Sequence, residues 1–436
     1  MRIVSDMIYS KTIGFINICK MLSKEHFTRV RKMPLKSLLL TVLFRKGRTL
    51  QMELRAFKKL LALKESISKV GYLKQRIKLN PLAFLVLAKH HAQNFYTDSE
   101  IVRKKNGYLI LAIDGSAMNI PTTDENIALY GNASSKNVKT QAQLGLSCLY
   151  DTINKMVIDS SINRFKFSER EQALFHIDNM CEVIGEHLSV IIFDRGYPSG
   201  EFLIELIERQ QKFLVRLPSV TFKKEQKQMK HDDCIVEIIF DNSRLSVHKG
   251  THTHDVLAKA EKISLRFVRV KLQSGEYEYL ATNLTAEEFS TGEISELYSM
   301  RWGIETTYDD LKNKLGIENF TGTKPVLIEQ DIYATIYLLN ISNDIMLEAQ
   351  MELDQIKDKP GKHVMAINKN IAFGIMKEDL ILFILEKNNR KRRTRMDAIV
   401  SEIKRNLLPV RKERHYTRNG RGRLASKYSN TKKKGF

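Results

Sequence analysis

The chain has 436 residues, 43% of them hydrophobic, and 71 Lys and Arg stand against 50 Asp and Glu for a formal net charge of +21. Such a chain can build two or three domains with a sizeable core. Its four cysteines are far apart and form no C-x-x-C pair, which argues for reduced thiols without a zinc site. The longest apolar runs, such as PLAFLVLA at 81–88, are too short to span a bilayer, and the N-terminus lacks a signal-peptide layout. The expectation is a cytoplasmic protein with no membrane partner.

The charge is unevenly placed. Residues 1–106 carry 23 basic and 6 acidic residues, a net +17; residues 107–386 carry 30 and 41, a net −11; residues 387–436 carry 18 and 3, a net +15. Basic ends suit a polyanion, because each Lys or Arg on a phosphate releases condensed counterions. A protein that only binds DNA has little reason to concentrate acids between them, whereas a metal-dependent nuclease needs some of those acids.

In chain order, residues 1 to about 104 read as helical, in stretches such as LKSLLLTVLF and MELRAFKKLLALKESI, with Pro34 and Pro81 marking helix starts. GYLILAID (107–114), QLGLSCLYD (143–151) and KMVIDSSI (155–162) look like successive strands. A helix follows over 168–187, opened by Ser168 with Glu171 three residues on, a capping-box pattern. LSVIIFDRGYP (188–198) reads as a buried strand, 202–210 as a helix and KFLVRLP (212–218) as a strand. This alternation fits a mixed α/β sheet with covered faces.

Residues 219–285 are β-rich again (CIVEIIFD, SLRFVRVKL, EYLATNL) and read as a strand-built insertion. Residues 325–348 and 379–386 are helical, and from Lys387 onward the chain looks too basic to pack alone. The division expected is thus a helical DNA-binding domain at 1–106, an α/β core at 107–218 resumed at 286–345, the insertion at 219–285, and a helical, basic region at 346–436.

Two strands end in an acid at the same relative place. Asp114 follows an apolar run and precedes Gly115; Asp194 follows another and precedes Arg195-Gly196. Open α/β sheets place their ligands at this strand end, although an acid before glycine is also a common turn residue. A third acid, Glu305, lies in LYSMRWGIETTYDDLKNKLGIENF, Leu297 to Phe320. At about 100° per residue on one helix, Tyr298, Arg301, Glu305 and Lys312 share a stripe about 60° wide. Leu297, Ile304, Tyr308, Leu311 and Leu315 form the stripe beside it, which would bury the helix. Arg301 and Glu305 are also spaced for an ordinary ion pair.

Three acids so placed could hold two divalent cations, and Mg²⁺ favours carboxylate oxygens. The acids would repel one another and DNA without a cation. Elsewhere, His248, His252 and His254 in HKGTHTH suit alternate positions of a strand or turn better than a metal site. No G-x-S-x-G, Walker or Rossmann glycine pattern occurs, so acyl transfer and a nucleotide cofactor lose support.

The spacing Tyr298-x2-Arg301-x3-Glu305-x6-Lys312 resembles, without a gap, the Y-R-E-K signature of bacterial insertion-sequence transposases of the DDE type. Asp114-Gly-Ser, Asp194-Arg-Gly-Tyr and LATNL (280–284) strengthen the resemblance, and SKVGYLKQRIKLNPLAFLVL is more loosely similar to that family's helical DNA-binding region. The resemblance implies a ribonuclease-H-like core interrupted by a β-strand insertion, and cut-and-paste transposition. It implies a catalytic, metal-binding triad of Asp114, Asp194 and Glu305, holding two Mg²⁺ with Mn²⁺ as a substitute.

Tyr298, Arg301 and Lys312 would contact the 5′ phosphate of the cleaved transposon end and a DNA hairpin intermediate. Trp302, the only tryptophan, would either stack on bases near that end or pack against the insertion. The implied partners are double-stranded DNA, as transposon ends and target, and a second copy of the chain in a synaptic dimer. The basic tail with Tyr416 and Tyr428 is expected on DNA. The alternatives are a domesticated DNA-binding protein, against which three intact acids argue, and a structure-selective nuclease of the same fold.

Overall fold

The structure is a computed structural model that describes residues 2–410 apart from 22, 29–31, 64, 136–137, 272–274 and 357–364. The tail carrying Tyr416 and Tyr428 therefore lies outside the described residues. As expected, the N-terminal stretch forms helices: α1 (Arg2–Tyr9), α2 (Ile13–Ile18), α3 (Leu35–Leu43), α4 (Leu50–Leu60), α5 (Lys69–Arg76) and α6 (Leu82–Tyr96). Pro34 is the N-cap of α3, and Pro81 directly precedes α6.

The α/β region follows as β1 (Leu109–Asn119), α7 (Asp124–Tyr130), β2 (Asn132–Ser135), β3 (Val138–Asp151), β4 (Val157–Arg164), α8 (Glu169–Ile184), β5 (Ser189–Phe193), α9 (Gly200–Glu208) and β6 (Lys212–Leu217). Residues 219–285 give α10 (Lys223–Gln228), β7 (Asp233–Ile239), α11 (Asn242–Val247), α12 (His252–Ala260), β8 (Lys262–Lys271) and β9 (Tyr277–Thr282). Then come α13 (Thr291–Ser299), α14 (Trp302–Asp309), a π-helical turn (Asp310–Lys314), α15 (Pro325–Ile356), β10 (Met365–Ile367), α16 (Lys369–Leu385), α17 (Asn389–Arg405) and β11 (Leu407–Pro409).

The chain divides into two compact units, one of Met1–His91, Asn119–Gln143 and Asp309–Phe436, the other of Ala92–Met118 and Leu144–Tyr308. In the second unit the strands run in the order β4-β3-β1-β5-β6-β9-β8-β7. β4 is antiparallel to β3, while β5 is parallel to β1 (Leu109↔Ser189 to Ala112↔Ile192) and β6 parallel to β5. This is the ribonuclease-H-like arrangement. Every residue of β5 is buried, as its unbroken apolar run requires.

The inserted strands continue the same sheet: β9 pairs antiparallel with β6 (Leu214↔Thr282), β8 with β9 and β7 with β8. Val190, Ile192, Leu214, Val268 and Leu280 on the strands pack with Leu284, Phe289, Ile294, Leu297 and Tyr298. That core packs α13 against the sheet.

In the first unit, the 32-residue α15 is the axis, packed by α3, α16 and α17. The segment from Lys387 on, expected to be too basic to pack alone, packs in its helical part against α15 and α16. α17 buries Met396, Ile399 and Ile403 at helical spacing while its arginines face outward. Among the described residues no helix is long and apolar enough to cross a membrane.

A buried ion cluster ties α5 and α3 to α15. Arg76 donates to Asp331 Oδ1 at 2.8 Å and to Gln330 Oε1 at 2.8 Å; Arg45 donates to the Asp331 carbonyl and to Thr335; Thr321 donates twice to Asp331 Oδ2. Both Arg76 and Asp331 are fully buried. Removing the carboxylate would strand two buried guanidinium groups, so Asp331→Ala should cost about 3–5 kcal/mol. Urea unfolding of the full chain measures this; a loss below about 1 kcal/mol would contradict the role given to the cluster.

Candidate active site

Asp194 stands where the sequence places it, directly after the last residue of β5, whereas Asp114 does not close its strand: β1 runs on to Asn119, and Asp114 lies within it, two residues past the last pairing with β5 at Ala112↔Ile192. Each spends one oxygen on local backbone. Gly115 N–H donates to Asp114 Oδ1 at 2.9 Å, and Gly196 N–H to Asp194 Oδ1 at 2.5 Å. For neither carboxylate does Oδ2 have a hydrogen-bond or ion-pair partner among the described residues. Burial, with the charges of Asp194 and Glu169 added, pushes the Asp114 carboxyl up to about 7, against the Gly115 N–H and the Arg301 charge.

The opening of α8 reaches the same place. The Ser168 hydroxyl caps it, accepting from Glu171 N. A Cβ on Gly145 would overlap the Phe167 ring, and one on Gly115 would meet that ring at 3.0 Å and Glu169 Oε1 at 2.9 Å. Two glycines on neighbouring strands β3 and β1 thus open a slot for Phe167, which seats the first turn of α8 over Asp114. From that turn Arg170 donates to the carbonyls of Tyr197 (2.8 Å) and Gly196 (3.1 Å), holding the loop after Asp194. Glu169, Arg170 and Phe167 were not singled out by the sequence reading. The pattern Ser-Glu-Arg at a helix start reads as capping, and only the tertiary placement shows what else it does.

Glu305 lies on α14, anchored by Tyr308, whose buried hydroxyl sits 2.8 Å from the Asp114 carbonyl and 3.1 Å from that of Leu146. The expected apolar stripe is buried throughout: Leu297, Ile304, Tyr308, Leu311 and Leu315. The single continuous helix is not formed, however. Met300 and Arg301 break it, because Met300, Arg301, Gly303 and Ile304 donate to carbonyls three residues back, a 3₁₀-like tightening. A π turn then covers Asp310–Lys314.

Arg301 and Glu305 form an ion pair, Nη2 to Oε1 at 2.6 Å. It is no ordinary surface pair. Arg301 is 8% exposed, its guanidinium lies over the rings of Trp302 (5.3 Å) and Tyr298 (6.0 Å), and its Nε is buried without a partner among the described residues. Burial pulls the Arg301 pKa down, but Glu305, Tyr298 and Asp114 raise it overall. Tyr298 is buried, and Trp302 is 47% exposed. Lys312 falls in the π turn, in the first unit; burial lowers its amine and Glu318 opposes this. The structure therefore gathers Asp114, Asp194 and Arg301 and joins Glu305 to Arg301.

Among the described residues no three His, Cys, Asp or Glu side chains stand close enough together to hold one metal ion. His248 ends α11, while His252 and His254 open α12, outside any such group. A second polar line, Asp159 to His176 (2.8 Å) to Ser147 (3.0 Å), has the order of a hydrolase triad but is fully buried and supports the β3–β4–α8 packing.

The sequence model of the transposase DDE domain matches residues 105–341, a span holding every one of these groups. The chain belongs to this family. It is 24% identical over 241 residues to the transposase InsG for insertion sequence element IS4 of Escherichia coli (strain K12). That match covers 54% of this chain and 51% of the relative, so the chain spans about half the length of the curated relative. Among solved structures, a cryo-EM structure of the piggyBac transposase synaptic complex with hairpin DNA is similar at 12% identity and a TM-score of 0.45, over 95% of this chain and 87% of that one. DDE transposases generally use divalent metal, and hard carboxylate oxygens with unshared lone pairs at Asp114 and Asp194 suit such an ion.

The raised Asp114 carboxyl makes stability depend on pH with a definite sign. Its folded value of about 7 exceeds the ordinary 3.8, so the folded state binds the proton more tightly. The stability this confers is full below about pH 4 and lost as pH rises through about 7. Asp114→Asn removes the titration. In chelator, its melting temperature should match wild type near pH 4 and exceed it increasingly toward pH 8. Parallel melting profiles would show that Asp114 is not crowded.

Proposed function

We propose that the chain is a DNA transposase that binds the terminal inverted repeats of its element and cuts and rejoins DNA strands there, in the cytoplasm of a bacterial cell. The observation that carries this reading is the pair Asp114, within β1, and Asp194, directly after the adjacent parallel β5, in the family-matched span, with Glu305 on α14 paired to Arg301, whose charge reaches Asp114. Asp114, Asp194 and Glu305 are the proposed catalytic triad, and they would hold Mg²⁺, as two ions, with Mn²⁺ as a substitute. Such ions, when bound, supply an activated attacking oxygen and stabilise the leaving one.

The remaining work falls to the protein's own residues. Arg301 exchanges Glu305 for a DNA phosphate: its unpartnered Nε and its planar fork suit a bidentate phosphate contact, and the exchange frees Glu305 to turn toward Asp114. Tyr298 supports the guanidinium from behind. The exposed Trp302 ring offers a stacking face for a base near the cleaved end. Lys312 supplies a second cation for the 5′ phosphate, at hairpin formation and strand transfer. The basic helical segment 1–106 and the basic end from Lys387 grip duplex DNA. A homodimer pairing two transposon ends completes the reading.

Asp114→Ala, Asp194→Ala and Glu305→Ala should each abolish strand cleavage in Mg²⁺ while leaving binding to the terminal repeats within a few fold. Arg301→Gln should leave the fold and the first nick mostly intact and impair hairpin formation on pre-nicked ends, because alignment of the 3′ hydroxyl supplies much of the rate. A gel separating nicked from hairpin product reads both. Near wild-type cutting by any alanine variant would remove that acid from the triad; normal hairpin yield from Arg301→Gln would return its contact with Glu305 to a structural ion pair.

A further inference from the structure

In the first unit, the end of α3, the loop after it, α4 and α16 enclose a cavity of about 480 Å³. Its floor is apolar, made by Phe44, Phe57, Leu60 and Ile381, and Lys377 on α16 forms part of its wall. The loop at the rim is held in place. The Glu53 carboxylate on α4 accepts from Lys46 N at 2.8 Å and Arg48 N at 2.9 Å, and Gly47 between them takes the left-handed φ of +76°. Lys46 is paired with Glu378 at 3.1 Å, whereas Arg48 and Lys59 line the cavity with no acid paired to either among the described residues. By size and by sign of charge this surface suits a small molecule that carries an anionic group.

Lys377 has a second contact. Its Nζ donates to the Leu315 carbonyl at 2.7 Å, and Leu315 closes the π turn Asp310–Lys314. Earlier on α16, Lys369 Nζ donates to Asp310 Oδ2 at 2.5 Å, at the other end of that turn. Two lysines of α16 thus clamp the turn that carries Lys312. An ordinary lysine capping a carbonyl keeps its amine in water and protonated. Lys377 is partly buried, and burial with the Arg45 charge pulls its amine down to about 8, against Glu53. Among the described residues α15 and α17, which also pack on α16, add no charge that reaches it. Asp310 is taken by Lys314 and Lys369, and Glu378 by Lys46. Near pH 8 about half of the Lys377 amines are therefore neutral nucleophiles, against a fraction of a per cent for a lysine in water.

We propose that Lys377 is an acylation site, and that the cavity before it admits a small acyl phosphate as the donor. The phosphate rests on Arg48 and Lys59 while the Nζ lone pair attacks the acyl carbon. A C–N bond forms, the C–O bond to phosphate breaks, inorganic phosphate leaves, and the surplus Nζ proton passes to water. The amide so made carries no charge, and its one N–H gives Leu315 only a neutral hydrogen bond. Acylation therefore loosens the π turn. Any effect on DNA rests on the proposed phosphate contact of Lys312; the acylation and the loosening do not.

The test is acetylation of the full chain by acetyl phosphate near pH 7.5, with the label on each lysine followed by peptide mass spectrometry. Lys377 should take up label at least about fivefold faster than exposed lysines such as Lys259. Replacing both rim cations, Arg48→Gln with Lys59→Gln, should slow Lys377 by about threefold or more and leave Lys259 unchanged. With an uncharged acetyl ester as donor, the same double variant should label Lys377 at the wild-type rate. Labelling of Lys377 no faster than Lys259 would overturn the site. An unchanged rate with acetyl phosphate in the double variant, or equal slowing with the uncharged ester, would overturn the seat for the phosphate.

Hydrogen exchange reads the consequence. The amides of Leu315 and Ile317 donate to the carbonyls of Asp310 and Leu311 at 2.8 and 2.9 Å, and after acetylation both should exchange about threefold faster or more. Lys377→Arg keeps the charge and a donor but does not take the acyl group, so its exchange should not respond to acetyl phosphate. Equal acceleration in wild type and Lys377→Arg, or none in wild type with Lys377 fully labelled, would overturn the link to the π turn. Neither measurement uses DNA, so each outcome is independent of whether the chain cuts it.

Discussion

Carboxylates at the end of a buried parallel sheet repel one another, and much of the second unit is arranged around holding them there. β1 and β5 are adjacent and parallel, so their terminal acids cannot separate without breaking the register Leu109↔Ser189 to Ala112↔Ile192. Gly115 and Gly145 give up side chains to admit Phe167; Arg170 grips the loop behind Asp194; Tyr308 tethers α14 to the Asp114 carbonyl. None of these contacts neutralises the acids. Uncompensated negative charge held in this way is what the proposed divalent cation would offset.

Arg301 is the counterpart. Its charge reaches Asp114, its hydrogen bond goes to Glu305, and two aromatic rings keep it from water. In that place it tempers the acids, and in the proposed function it is the guanidinium that would meet a phosphate. Arg301 sits at the break at Met300–Arg301 that interrupts the expected helix. Local irregularity and the proposed site coincide here, as they often do where a helix is tightened or bulged.

Much of this was legible in the sequence. Buried strands announce themselves as short apolar runs, and an acid closing such a run is conspicuous, which is why Asp194 could be placed at a strand end, whereas Asp114 was read as one although β1 continues past it to Asn119. The apolar stripe from Leu297 to Leu315 survived because small changes of helical phase do not move a broad stripe off the core. The same tolerance hid the break at Arg301 and the π turn at Asp310–Lys314, which shift a narrow polar stripe. That β9 joins β6, so that the insertion prolongs the sheet, depends on strand partners that no local pattern names. Glu169 was invisible because a helix cap already explained it. That α17 packs on α15 and α16 was not legible, because its charge outweighs, in composition, the three buried residues that pack it.

The central claim is that the Oδ2 atoms of Asp114 and Asp194 share a divalent cation. The most direct test is diffraction from crystals of the full chain grown with Mn²⁺, recorded at the manganese absorption edge. The account predicts an anomalous peak between the two carboxylates, about 2.1 Å from an oxygen of each. Ordered carboxylates with no peak between them, or a manganese site held by other residues alone, would contradict it.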